Sequence, residues 1–363
     1  MENKDLTKRS YFDIADGGYA CVMFILLQYL LYKFIFAVGG ITSYGTYHLF
    51  SALLQGAFIL ASFAVAKFKN TSWVKATTFN RKINKKVVLY CLIITVICLW
   101  AFTDLSSAFM AILEKCGYTS PLETGDTGKY NQITNIGEYL LSIVTVCIIP
   151  PICEETLYRG TVLNSFRGLN KWVGIFVSGF CFMIMHGNPD QTIHQFILGI
   201  ILGYIAWETR NIWVCILIHA LNNFLAVTMT FILNIIASGM DISETTMPET
   251  QTTWGQIAVT LVFGIVLAIL AVFVIIKLTK KIKEQSAIAN GEAQIIVSQP
   301  AQEVTEEAPQ TPPTQQVVVT ELTDVEVQPK PSKAKIVVTV LCYAGFIAYF
   351  VWEWVNILLI GLG

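Results

Sequence analysis

The chain is short of charge. Only 13% of its 363 residues are Asp, Glu, Lys or Arg, whereas 54% are hydrophobic and the mean hydropathy is +0.59. Soluble globular domains carry about 25% charged residues. The deficit excludes an ordinary water-soluble core and predicts a polytopic membrane protein. The net charge of −1 also gives no electrostatic basis for a nucleic-acid partner.

Several chemical signatures are missing as well. Of the nine cysteines, only Cys116 falls in a predicted extracytoplasmic loop, so the sequence predicts no disulfide framework. The chain has only four histidines, and the helical His-Glu-x-x-His zinc signature is absent. No long internal repeat is apparent, which disfavours a transporter built from repeated halves.

What the sequence has instead is a series of apolar stretches close to the roughly 20 residues needed to cross a bilayer. They predict an all-α, polytopic transmembrane helical bundle of about eight core spans plus an appended C-terminal span. The predicted spans cover residues 18–38, 49–66, 87–112, 137–153, 172–187, 193–208, 211–236, 254–276 and 336–360.

The basic residues predict the orientation of these spans. Segment 67–86 carries seven Lys or Arg residues and no acid, and four lysines lie between Lys277 and Lys283. Cytoplasmic loops are enriched in Lys and Arg. We therefore expect a multi-pass protein of the cell membrane with a cytoplasmic N-terminus and an extracytoplasmic C-terminus.

The composition also divides the chain. Residues 1–283 are predicted to form the membrane-embedded bundle. Residues 284–335 are predicted to be a disordered acidic linker, because 284–329 hold eight acids, no Lys or Arg, and many Pro, Gln and Thr residues. Residues 336–363 are predicted to form the C-terminal transmembrane helix.

Three short stretches place functional side chains at helical i, i+4 spacing, so that each pair shares one helix face. They are "EETLYR" (Glu155 and Arg159), "FMIMH" (Phe182 and His186) and "HALNN" (His219 and Asn223). Glu154 points about 100° away from Glu155 around the helix, which leaves it free to face a cavity. If the three stretches converge, they form a Glu/His/His/Asn site that could activate a water molecule.

The backbone before the glutamates is unusual. Pro150 and Pro151 lack the N–H groups that a regular helix needs, so the sequence predicts a kinked helix beside a wet pocket. Taken singly, each polar group has a simpler explanation in headgroup contact or helix packing. Taken together, they leave open a transporter or channel, or a non-catalytic immunity or scaffold protein, besides an enzyme.

The order Glu-Glu-x-x-x-Arg, Phe-x-x-x-His and His-x-x-x-Asn resembles the CAAX-protease and bacteriocin-processing family of intramembrane endopeptidases, the Rce1-like group. The resemblance covers about residues 135–230. It implies that Glu154 is the base that activates the attacking water, assisted by His186, and that His219 and Asn223 stabilise the oxyanion. Glu155 and Arg159 would hold their helix in place.

The resemblance implies an intramembrane endopeptidase that acts on a peptide or membrane-protein substrate within the lipid bilayer. Metal dependence stays open. If a divalent metal such as zinc takes part, its ligands would be Glu154, His186 and His219.

Overall fold

The computed structural model describes residues 8–120, 133–239, 252–297, 315–319 and 329–362. These residues form a helical bundle, as the sequence predicted, with one small pair of strands. The helices are α1 (Ile14–Ala37), α2 (Tyr44–Phe68), α3 (Trp73–Ala76), α4 (Lys85–Ala101), α5 (Thr103–Lys115), α6 (Ile136–Leu163), α7 (Lys171–Met185), α8 (Thr192–Thr209), α9 (Ile212–Gly239), α10 (Trp254–Ala289) and α11 (Lys333–Gly361).

Seven helical segments of the described residues are long and apolar enough to cross a membrane: α1, α2, α4 together with α5, α6, α9, α10 and α11. The multi-pass architecture is thus confirmed, and of the nine predicted spans only those of α7 and α8 do not meet this criterion. Helix α7 has only 15 residues, about 22 Å of helix, against a hydrocarbon core of about 30 Å. Helix α8 is polar at both ends. Since nine and seven are both odd, the predicted sides of the two termini are unaffected.

Helices α7 and α8 form a closely packed hairpin, joined by a short 3-10 turn at Pro189–Gln191. The backbones touch where two glycines meet. A Cβ on Gly199 would lie 2.8 Å from the carbonyl oxygen of Gly179. Small residues permit this approach between membrane helices, and it brings the Gly199 carbonyl into the centre of the bundle.

Helix α6 is irregular around the double proline. It runs as α-helix over Ile136–Ser142, π-helix over Ile143–Ile148, α-helix over Ile149–Glu155 and π-helix over Thr156–Leu163. Proline removes backbone donors, and π-turns commonly accompany such interruptions at functional sites. The site glutamates therefore lie in one short regular turn between two widened ones.

Two apolar clusters enclose this region. One joins residues of α1, α2, α6, α7 and α11, and the other joins residues of α4, α6, α7, α8, α9 and α10. Helices α6 and α7 contribute to both clusters, so they lie in the middle of the bundle. The C-terminal helix α11 packs against α1 and α7, and its Phe346 is fully buried.

Beyond the bundle, α10 continues to Ala289, and strands β1 (Ala293–Val297) and β2 (Gln315–Val319) pair antiparallel, with Ala293 opposite Val319. The predicted disorder of the 284–335 linker stays a prediction. Residues 298–314 and 320–328 of that linker lie outside the described residues.

Candidate active site

The two consecutive glutamates of α6 have different surroundings. Glu155 is fully buried, and its Oε1 accepts hydrogen bonds from Arg159 Nη1 at 2.8 Å and from His219 Nδ1 at 3.0 Å. Glu154, one residue earlier, faces the neighbouring helix α2 instead. The 100° step between adjacent helical residues produces this division.

Arg159 compensates the charge of Glu155 inside the bundle. Its side chain is 1% exposed, and its Nη2 donates to the Gly199 carbonyl at 3.1 Å. The guanidinium also lies over the ring of Phe182, 4.4 Å from the centroid, where a cation–π attraction holds it. Arg159 thus ties α6 to both helices of the α7–α8 hairpin.

His219 of α9 links the two glutamates. Because a carboxylate only accepts hydrogen bonds, the 3.0 Å contact requires that Nδ1 of His219 carry the hydrogen that it donates to Glu155. The opposite ring nitrogen, Nε2, lies 4.0 Å from Glu154 Oε2. Glu155 therefore fixes the orientation of the imidazole, and the imidazole presents Nε2 to Glu154.

Glu154 is 5% exposed and keeps one free oxygen. Its Oε1 accepts a hydrogen bond from Gln55 Nε2 of α2 at 3.0 Å, whereas its Oε2 is buried without a hydrogen-bond partner among the described residues. Sequence reasoning missed Gln55, which lies outside all three motifs. The signal that could have found it is an amide side chain within an apolar span, where polar groups usually meet another polar group.

His186 lies at the C-terminal end of α7. Its Nδ1 is 2.8 Å from the carbonyl of Phe182, so this nitrogen carries a hydrogen and Nε2 holds the lone pair of the neutral ring. The following Gly187 has φ +58°, which ends the helix at minimal steric cost. His186 and His219 both pack on Phe182, with ring centroids 5.0 and 5.6 Å from its own. No hydrogen bond joins His186 to Glu154 or His219, all three of which the structure describes.

The double proline explains the contact of Asn223. In a regular helix the carbonyl of Val146 would accept from the N–H of residue 150, and in a π-helix from that of residue 151. Both positions are proline, so neither donor exists. Asn223 Nδ2 instead donates to Val146 O at 3.0 Å. The amide of α9 thus replaces a missing backbone donor of α6.

Neighbouring Asn222 has a different partner. It is 5% exposed, and its Nδ2 donates to His194 Nε2 at 3.4 Å. This contact joins α9 to α8.

The structure therefore brings Glu154, Glu155, Arg159 and His219 into one polar cluster. Asn223 contacts α6 at Val146, about two helical turns before the glutamates, and His186 lies across Phe182. Within the described part of the chain, no group of three or more His, Cys, Asp or Glu side chains could hold a metal ion. Glu154, His186 and His219 thus do not fit the ligand set suggested for zinc.

Residues 136–225 match the family described as type II CAAX prenyl endopeptidase Rce1-like. The chain also resembles a protein of Escherichia coli described as an uncharacterized 24.3 kDa protein, with 26% identity over 91 residues. That alignment covers 23% of this chain and 42% of the relative, so the chain matches less than half of the relative's length. No solved structure matches the chain.

Proposed function

Because residues 136–225 form an Rce1-like domain, we propose that this multi-pass membrane protein is an endopeptidase that hydrolyses a peptide bond inside the bilayer. The reaction uses a water molecule activated by Glu154 and His219. The observation that carries this proposal is the arrangement of two buried acceptor atoms, Glu154 Oε2 and His219 Nε2, 4.0 Å apart.

The 4.0 Å separation suits one shared water molecule. A water oxygen about 2.8 Å from each atom would subtend an angle of about 90° between them, within the range that its two hydrogens reach with bent hydrogen bonds. Water would donate one hydrogen to each acceptor, which leaves its lone pairs free to attack. Glu155 supports this arrangement, because its hydrogen bond to Nδ1 keeps the lone pair of His219 on Nε2.

The hydrolysis then proceeds in two balanced steps. Glu154 takes one proton from the water as its oxygen bonds to the peptide carbonyl carbon, which gives a tetrahedral oxyanion. Glu154 returns that proton to the amide nitrogen as the C–N bond breaks, which releases an amine and a carboxylic acid. No Ser or Cys nucleophile and no external co-reactant is required.

The remaining side chains act on the substrate. One amide hydrogen of Asn223 is used by Val146, and the other remains to donate to the oxyanion, where such donors stabilise developing charge. His186 presents its free Nε2 from beyond Phe182, where it assists proton transfer once a substrate fills the site.

The position of the cluster sets the depth of cleavage. Glu154 lies nine residues before the end of α6 at Leu163 (163 − 154 = 9), which is about 14 Å of helix. With the N-terminus in the cytoplasm, this end of α6 is cytoplasmic. The scissile bond would therefore be cut in the cytoplasmic half of the membrane, in a lipid-modified peptide or a membrane protein.

In the test, purified protein is reconstituted in liposomes and given two internally quenched peptides, one S-farnesylated at a C-terminal CAAX cysteine and one unmodified. In a parallel reaction it is given a membrane-protein extract, which is then analysed for new N-termini. Fragment release is expected from the wild type and should be lost in Glu154→Gln and His219→Gln. Glu208→Gln is the matched control, because Glu208 pairs with Lys171 and Lys283 at the far end of α8. Equal cleavage by Glu154→Gln, or no wild-type cleavage of any substrate, would overturn the proposal.

A further inference from the structure

We propose that Gln55 of α2 is a positioning residue of the site, which holds Glu154 so that Oε2 faces the attacking water. This inference rests on the proposed function. It extends the site beyond the matched residues 136–225, since α2 covers Tyr44–Phe68.

The orientation of the Gln55 amide follows from its partner. Glu154 Oε1 lies 3.0 Å from Gln55 Nε2, and a carboxylate oxygen accepts hydrogen bonds, so the NH₂ group must face it. The hydrogen bond is therefore charge-assisted, and such bonds are stronger than those between neutral groups. It restrains one oxygen of Glu154 and thereby the rotation of the whole carboxylate.

That restraint decides which oxygen is available. With Oε1 bound to Gln55, Oε2 remains without a hydrogen-bond partner among the described residues and lies 4.0 Å from His219 Nε2. Without Gln55, the carboxylate could rotate and present either oxygen in other directions. A base that is correctly placed only part of the time loses rate without losing affinity for substrate.

Polar contacts along α2 and α6 explain why Gln55 lies beside Glu154. Four polar pairs join α2 to α6, and the residue numbers increase along both helices, which shows that the helices run parallel. The pairs are Tyr44–Ser142 (2.8 Å), His48–Thr145 (2.5 Å), Gln55–Glu154 (3.0 Å) and Ser62–Thr161 (2.6 Å). These pairs set the register that brings Gln55 opposite Glu154.

Simple packing does not account for Gln55. Its carbonyl Oε1 is buried and has no hydrogen-bond partner among the described residues. A buried acceptor without a donor is costly, and an apolar side chain of the same size would avoid that cost. The contact that Gln55 makes with Glu154 offers a reason for keeping an amide here.

The experiment measures kcat and KM for the farnesylated quenched peptide in liposomes. Gln55→Met is expected to lower kcat about 10- to 100-fold, the effect of losing one hydrogen bond to a charged group. KM should stay within about twofold, because the substrate-binding surface is unchanged. Gln55→Asn withdraws the amide by one methylene while keeping the site polar, and it should lower kcat in the same way.

Gln28→Met is the matched control, because the Gln28 amide donates to the Leu54 carbonyl at 3.0 Å, one residue from Gln55, without touching the site. Its kcat should equal that of the wild type. A wild-type kcat in Gln55→Met and Gln55→Asn, or an equal loss in Gln28→Met, would overturn the inference. Glu154→Gln distinguishes this inference from the proposed function. If the Glu154→Gln variant remains active, the proposed function itself is wrong. If Glu154→Gln is inactive but the Gln55 variants keep the wild-type kcat, the proposed function stands and only the role of Gln55 is wrong.

Discussion

The hydrogen bond between Asn223 and Val146 should contribute measurably to the free energy of unfolding. Asn223→Leu keeps the volume of the side chain but removes the donor that lies 3.0 Å from the Val146 carbonyl. Since Pro150 and Pro151 supply no backbone N–H, that carbonyl would be left without a donor in the protein interior. The expected loss is about 1–3 kcal/mol in the free energy of unfolding.

A double-mutant cycle isolates this effect. Pro150→Ala restores an N–H at position 150, where a regular helix would donate to Val146. In that background Asn223 is no longer the sole available donor, so Asn223→Leu should cost at least about 1 kcal/mol less than it does in the wild type. The assay is unfolding of the purified protein by SDS in mixed micelles, followed through the fluorescence of its eight tryptophans.

Asn234 provides the control on the same helix. Its Nδ2 donates to the Ile133 carbonyl at 3.2 Å. Pro150 does not remove a backbone donor from this carbonyl, because in a regular helix the N–H of residue 150 would bond to residue 146. The cost of Asn234→Leu should therefore be the same with Pro150 and with alanine at that position. An unchanged stability in Asn223→Leu, or an equal cost in both backgrounds, would refute the reasoning.

Two further substitutions test how the bundle holds the site. Arg159→Met leaves the buried Glu155 carboxylate without its cation and should cost about 3–5 kcal/mol in the same unfolding assay, part of which Glu155→Gln should restore in the double variant. A loss below about 1 kcal/mol would contradict a buried ion pair here. Gly199→Ala should cost about 1–3 kcal/mol, because its Cβ would lie 2.8 Å from the Gly179 carbonyl. Gly203→Ala should cost less, since its Cβ would meet Ile175 at 3.4 Å, and equal costs would argue against a backbone clash.

Local features of the sequence predicted much of the fold. All nine apolar stretches are helical, with 87–112 divided between α4 and α5, because apolar length and composition are properties of a segment by itself. The sequence predicted α7 and α8 as two membrane spans, but it did not predict where these helices end. Their ends depend on Gly187 and on the turn at Pro189–Gln191, which join them into a hairpin. Whether a short apolar helix crosses the membrane depends on the helices that pack around it. The hydropathy of the segment gives no information about those neighbours.

Helical spacing likewise predicted the contacts within a single helix. The i, i+4 pair of Glu155 and Arg159 is present at 2.8 Å, and the proline pair interrupts α6 as expected. The separation of Glu154 from Glu155 also follows from the helical repeat alone. Contacts between helices did not follow in this way. Gln55 and Val146 belong to no recognised motif. Their contacts with Glu154 and Asn223 follow only from the packing of α2 and α9 against α6.

By itself, the sequence determined that this is a membrane bundle whose rare polar residues recur on one face of each of three helices, since composition and helical period are local properties. The tertiary structure alone decided which of those residues meet. It placed His219 between the two glutamates, assigned one amide hydrogen of Asn223 to a backbone carbonyl, and set His186 across Phe182. The physical reason is that hydrogen bonds between helices depend on their register and rotation, and both are fixed by the packing of the whole bundle.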